Sequence, residues 1–244
     1  MLPISSTQNP TIKLIRSLDD KKGRREAGLF LAEGRAMLER AESLGFEPEH
    51  VISTKRPFVF DDVKPFLVTE KLMAELSAHN NPQEVLATFK QRWQPHPTKD
   101  GTWLALEDIR DPGNLGTIIR TADAASAAGI ILVGDCCDPY APECVRATTG
   151  SIFAVPLVKM PTLQFVEFTK AWPGTSIATR MDAKTDYRSD CPAPYLIVLG
   201  TESKGLSDSV SSACNRKVRI PMKQGVESLN VATAAALMLY ALAP

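Results

Sequence analysis

The stretch TWLALEDIRDPGNLGTIIRTADAASAAGIILVG, residues 102–134, reads as one strand–loop–helix–strand unit. TWLALED (102–108) and IILVG (130–134) are apolar runs of strand length. Between them, NLGTIIRTADAASAAG (114–129) places Leu115, Ile118, Ile119, Ala122 and Ala125 on one helical face, with Gly129 expected to stop the helix. Short strands that are apolar throughout and separated by helices belong to a parallel sheet covered on both faces. The alternation continues downstream. Strands are expected at 152–158, 175–179 and 195–200, with a short one reaching Ile220 and a closing apolar helix over SLNVATAAALMLYAL (228–242).

Upstream, QPHPTKDG (94–101) carries two prolines, a glycine and little that packs, so it reads as a linker. The expected division is a first domain over 1–93, a linker over 94–101 and a second domain over 102–244. The first mixes a helix from Glu33 to Leu44, strands at 50–53 and 65–69, and a helix at 70–78, giving a small α/β domain. The fold class expected for the whole chain is α/β.

Of the 244 residues, 44% are hydrophobic and 23% charged, enough to build a core without staples. Basic and acidic residues balance at 28 each, which argues against a nonspecific coat for nucleic acid. A local excess stands out. Residues 13–25 hold six basic side chains (Lys13, Arg16, Lys21, Lys22, Arg24, Arg25) against Asp19 and Asp20. On charge alone the segment fits a solvated helix face as well as a phosphate-binding one. The five cysteines are odd in number and form no C-x-x-C pair, so reduced thiols in a cytoplasmic protein are expected, with neither a metal cluster nor a disulfide framework. Neither a signal-peptide pattern nor an apolar run of membrane-spanning length is present in the sequence.

Open α/β sheets bind ligands beyond the carboxyl ends of their strands, which directs attention to loops starting at Asp108, Gly134, Thr179, Gly200 and Ile220. Three hold unusual residues. EDIRDPGNLGTIIRTA (107–122) makes a turn at Pro112-Gly113, offers Asn114 as a helix cap and carries Arg120 six residues on. YLIVLGTESKGLS (195–207) puts a charged Glu202 just past a buried strand, between Gly200 and Gly205. VRIPMKQGVESLNVATAAAL (218–237) stops a strand at Pro221 and opens a helix with Ser228, Leu229 and Asn230. Each loop alone also fits a plain capped turn: Thr201 or Ser203 can cap in the second, and Ser228 in the third. Asn230 in a first helical turn gains little as a helix former, a local inconsistency of the kind that marks sites. The dinucleotide fingerprint G-x-G-x-x-G is absent, which disfavours a nicotinamide-dependent oxidoreductase.

Taken together and in order, NLGTIIRTA, LGTESKGLS and IPMKQGVESLNVATAAA resemble the three motifs of the SpoU (TrmH-type) RNA 2′-O-ribose methyltransferases across residues 103–244. Residues 7–41, TQNPTIKLIRSLDDKKGRREAGLFLAEGRAMLERA, are similar to the substrate-binding domain of the family's two-domain members, many of which act on ribosomal RNA. The resemblance implies a C-terminal SPOUT domain with a trefoil knot, a homodimer with the active site at its interface, and S-adenosyl-L-methionine bound in the knot. Gly200, Ile220 and Leu229, with Met222 nearby, match cofactor-contacting positions; Arg120 matches the catalytic arginine, and Asn114, Glu202, Ser228 and Asn230 its supporting polar set. Lys204 and Ala232 depart from frequent family residues without removing a proposed catalytic group.

The implied activity is methylation of a ribose 2′-hydroxyl, in ribosomal RNA before transfer RNA. Because arginine scarcely deprotonates, Arg120 is expected to orient a phosphate and stabilise developing oxyanion charge rather than act as a base. Lys13, Lys21, Lys22, Arg24 and Arg25, joined by Asn9, are expected to contact RNA phosphates, which position a nucleic acid without choosing a base. Competing readings are a non-catalytic RNA-binding or ribosome-assembly protein with the same fold, and a base-nitrogen methyltransferase; the Asn114-to-Arg120 spacing and Ser228-Leu229-Asn230 favour ribose.

Overall fold

The computed structural model describes residues 4–55, 60, 65–77, 81–201 and 204–242. The chain begins with helices α1 (Pro10–Ser17) and α2 (Lys21–Ala27), strand β1 (Leu29–Glu33), α3 (Arg35–Ser43), β2 (His50–Ser53), β3 (Phe66–Leu67), α4 (Glu70–Leu76) and β4 (Val85–Lys90). It continues with β5 (Thr102–Glu107), α5 (Pro112–Ala124), β6 (Gly129–Val133) and α6 (Pro142–Thr148). A 3-10 turn follows at Ser151–Phe153, then β7 (Leu157–Met160) and α7 (Thr162–Lys170). The last elements are β8 (Thr175–Thr179), β9 (Thr185–Asp186), β10 (Tyr195–Leu199), α8 (Asp208–Ala213), β11 (Arg216–Arg219) and α9 (Val231–Leu242). Among the described residues, no helix is long and apolar enough to cross a membrane.

The chain divides into two compact units, and the division is not sequential. The first comprises residues up to Gln91 plus Asp138–Ala154; the second comprises Arg92–Cys137 and the chain from Val155 onward.

The first unit is built on a mixed four-stranded sheet in the order β1-β4-β2-β3. Its central strand, β4, runs antiparallel to both neighbours and is buried at every position except Lys90. The sequence pattern does not announce this strand, because VLATFK shows none of the alternation that marks a half-exposed one. On one face, α1 and α4 bring Ile12, Ile15, Leu72 and Met73 against Leu31, Ile52 and Leu86. On the other, Phe30 and Phe89 meet Tyr140 and Phe153 from the 138–154 excursion, with ring centroids 4.9 Å apart for Phe30–Tyr140 and for Phe89–Phe153.

The second unit is a seven-stranded sheet in the order β7-β6-β5-β10-β8-β11-β9, with every pairing parallel. Trp103, Ile131, Val158, Phe165, Trp172 and Leu196 lie in its core. Several expected boundaries move. α5 starts at Pro112, and its cap is Asp111, whose carboxylate accepts the Asn114 N–H at 2.6 Å; Asn114 is inside the helix. Gly129 does not end that helix, which stops at Ala124. Gly129 opens β6, where a Cβ would come within 2.5 Å of the Trp103 ring and 2.8 Å of the Pro156 carbonyl oxygen. Close approach, not a helix stop, selects glycine there. The strand expected at 152–158 is β7 at Leu157–Met160, because 151–153 form the 3-10 turn of the first unit. The last helix begins at Val231 rather than 228.

Candidate active site

Ligand space opens where the α/β argument places it. At the carboxyl ends of the adjacent strands β10, β8 and β11 lies a cavity of about 350 Å³. All four expected cofactor-contacting residues, Gly200, Ile220, Met222 and Leu229, line it, with Ser228 beside them. Leu199, Leu206, Val231 and Ala234 supply further apolar wall.

Gly200 is fixed by a close approach of backbone to backbone. The chain leaves β10, turns and folds back so that the Gly205 N–H donates to the Thr201 carbonyl at 2.9 Å. A Cβ on residue 200 would come within 2.2 Å of the Gly205 carbonyl group. Only glycine lets this turn close. Glu202, expected among the polar set, lies outside the described residues, as does Ser203.

The first and third loops are tied by their side chains. The Asn230 Nδ2 donates to Asn114 Oδ1 at 2.9 Å. At the same time Asn230 Oδ1 accepts the backbone N–H groups of Ala232 at 2.9 Å and Thr233 at 3.3 Å. Asn230 is therefore the cap of α9, the role expected of Ser228, and a bridge to α5. The residue precedes the helix, where asparagine is favoured, so its poor fit to a first helical turn disappears. Ser228 is left exposed on the cavity wall.

Arg120 sits on the exposed side of α5 and has no hydrogen-bond or ion-pair partner among the described residues. Neither Arg120 nor Asn114 lines the cavity. Lys204 does, with its side chain exposed.

Two cavity residues, Arg180 and Asp182, stand outside every sequence motif. Arg180, on the loop after β8, donates to both carboxylate oxygens of Asp182, at 2.8 and 3.0 Å, and reaches Asp208 and Ser211 at 3.4 Å. The hydrogen bond to Asp182 holds the guanidinium above its usual range and the Asp182 carboxyl below its own. The signal in the sequence is position alone, since both follow the strand end at Thr179. No cysteine lines the cavity, and burial pushes the thiols of Cys136 and Cys214 up to about 11 and about 12.

In the first unit, the basic segment separates into two kinds of residue. Lys13, Lys21, Lys22 and Arg25 are not buried, and the first three, with Arg25, offer their charge to solvent. Arg24 is 4% exposed and departs from the expectation of a phosphate contact. Its Nε and Nη2 donate to Asp138 Oδ2, each at 2.8 Å, and Nη1 donates to the carbonyls of Leu18 at 2.8 Å and Asp19 at 2.7 Å. A guanidinium so engaged is structural. Asn9 likewise caps α1, accepting the Thr11 N–H at 2.9 Å.

Comparison with known proteins decides the lineage. Residues 101–240 match the SpoU rRNA Methylase family. The chain belongs to that family. Residues 9–87 match the MRM3-like substrate binding domain. An uncharacterised tRNA/rRNA methyltransferase of Synechocystis is 37% identical, over 97% of this chain and 92% of its own. A 23S rRNA guanosine 2′-O-methyltransferase of Bacillus subtilis is 27% identical over 98% of both chains. Among solved structures, an AdoMet-bound rRNA methyltransferase from Sinorhizobium meliloti superposes with a TM-score of 0.88 at 36% identity, covering 98% of this chain and 96% of that one.

Proposed function

We propose that this SpoU-family chain transfers a methyl group from S-adenosyl-L-methionine to a ribose 2′-hydroxyl of ribosomal RNA. The observation that carries the reading is the cavity at the ends of β8, β10 and β11, where Gly200, Ile220, Met222 and Leu229 converge. The Bacillus relative, named for ribosomal 2′-O-methylation, spans both units, and the Sinorhizobium structure binds the same cofactor.

The residues fit that cofactor. A cavity of about 350 Å³ lies within the range of small-ligand sites, is mostly apolar, and is lined by the turn that the missing Cβ of Gly200 lets close. When bound, the cofactor supplies a methyl on a positively charged sulfur. Gly200, Ile220 and Leu229 would hold the adenine and the methionine part, largely through backbone groups and shape. Asn114 and Asn230, locked to each other, keep the heads of α5 and α9 in register. Arg120 would hold the phosphate beside the target ribose and stabilise the negative charge that develops on the 2′-oxygen, whose proton passes to solvent water; its permanent charge suits that task better than proton abstraction. Glu202 and Ser228 complete the polar set. We further propose that residues 1–93 form the RNA substrate-binding domain, 94–101 the linker and 102–244, apart from the 138–154 segment that packs with the first unit, the methyltransferase domain. On this reading Lys13, Lys21, Lys22 and Arg25 contact phosphates. The chain works as a cytoplasmic homodimer, and its C-terminal domain carries the trefoil knot implied by its family.

The test is incubation with methyl-labelled S-adenosylmethionine and total RNA from a strain lacking the gene, followed by fractionation and nucleoside analysis. Label is expected in one 2′-O-methylated nucleoside of ribosomal RNA. Label in transfer RNA would redirect the substrate; label in a base would overturn ribose chemistry. Cofactor binding with no label on free RNA or assembling ribosomal particles would point to the non-catalytic reading.

A further inference from the structure

Glu107 is the last residue of β5 and is 5% exposed. A carboxylate buried to this degree is costly unless its oxygens are satisfied. Both are satisfied by one residue: the Ser207 N–H donates to Oε2 at 2.8 Å, and the Ser207 hydroxyl donates to Oε1 at 2.6 Å. Ser207 Oγ also accepts the Val210 N–H at 3.3 Å as the cap of α8, a task that needs no carboxylate. The additional charge-assisted pair therefore does something else: it fixes a length.

What it fixes follows from the chain on either side. Ser207 comes immediately after Lys204, Gly205 and Leu206, which wall the cavity on the returning limb of the Gly200 turn. Glu107 comes four residues before Asp111, the cap that starts α5 with Asn114 and Arg120 on it. β5 and β10 are neighbours, with Leu106 opposite Leu199, so the two loops leave the sheet side by side. The Asn114–Asn230 bond ties the first loop to the third; Glu107–Ser207 ties the first to the second.

We infer that Glu107 is a positioning residue for methyl transfer, holding the cofactor-cavity wall at a set distance from the helix that carries Arg120. This rests on the function proposed above. In-line transfer demands reacting atoms about 3–3.5 Å apart, and a displacement of about 1 Å costs about 100-fold in rate. A tie between the cavity wall and the helix that carries Arg120 sets the relative placement of two parts that the proposed site must combine.

The experiment compares Glu107→Gln, Ser207→Ala and the double variant with the wild-type chain for thermal unfolding, cofactor affinity by calorimetry, and turnover at saturating cofactor and RNA. Glu107→Gln keeps size and one acceptor, so it preserves packing that an alanine variant would disrupt. Turnover at saturation is expected to fall about 10- to 100-fold in Glu107→Gln, with the KM for RNA held within about twofold. Ser207→Ala falls in the same direction, and the double variant is no worse than the poorer single, since both remove one tie. Wild-type turnover in both single variants, or a loss that tracks only the melting temperature, overturns the inference. Should the wild-type chain bind cofactor yet methylate no RNA, the functional reading fails instead. The tie is then read from cofactor affinity, expected to be about 10-fold weaker in Glu107→Gln; an unchanged affinity overturns the positioning role as well.

Discussion

The cavity at the strand ends of the second unit and the basic α1–α2 segment of the first use polar side chains in opposite ways. Around the cavity, Asn114, Asn230, Glu107 and Ser207 are committed to one another at fixed distances. Along α1 and α2, Lys13, Lys21, Lys22 and Arg25 offer charge to solvent, and Arg24 is locked in place. The first arrangement stores geometry and the second stores charge. Geometry fails abruptly when one tie is broken, whereas exposed charge declines in steps. Arg24 crosses the line: by sequence it belongs to the charge run, by structure to the geometry.

The largest effect should come from that exception. Arg24→Met leaves the largely buried Asp138 carboxylate without its counter-charge, keeping only the Tyr140 N–H, and is expected to destabilise the first unit by about 3–5 kcal/mol in chemical denaturation. The salt slope of RNA binding should stay the same wherever the protein is still folded. A stable variant with a shallower slope would return Arg24 to the phosphate-binding set.

Next comes Arg120→Ala. Turnover should fall about 100- to 1,000-fold, the cost of removing one donor that stabilises developing negative charge, while calorimetric cofactor affinity holds. Unchanged turnover would remove Arg120 from the mechanism.

Gly200→Ala tests the backbone wall. A Cβ 2.2 Å from the Gly205 carbonyl group forces the turn open. Overpacking of this kind costs about 1–3 kcal/mol, so cofactor affinity should drop by about 10- to 100-fold. Full affinity would mean that the turn does not shape the site.

The smallest single steps belong to the exposed basic residues. Neutralising Lys21, Lys22 and Arg25 in turn should weaken RNA binding additively. Each should reduce the slope of log affinity against log salt by about 0.7–0.9 for every phosphate it had neutralised. A slope indifferent to all three would make α2 a solvated face and nothing more.

The second unit is largely legible in its sequence. Apolar runs at 102–108, 130–134 and 195–200 mark strands because a parallel sheet buried on both faces leaves no polar alternation to confuse the pattern. The same property hides β4 in the first unit, where VLATFK stands without a flanking motif. The three loops are legible because ligands gather at strand ends, and Gly200 because a close approach admits no side chain. What one-dimensional patterns misplace are the caps. Asp111 and Asn230 hold the positions expected of Asn114 and Ser228, since a cap is chosen by which side chain bends back to a free N–H, a few residues either way.

By itself, the sequence determined the α/β class, the strand-end loops and, through three motifs in order, the family. These depend on local periodicity and on residue types that only certain backbones accept. Tertiary structure alone decided that 138–154 belongs with the first unit, that Arg24 is a buried clamp, and that Glu107 meets Ser207 one hundred residues on. Such pairs join residues remote along the chain, and no spacing rule reaches them: which carboxylate meets which donor is settled only when two elements pack together and exclude water.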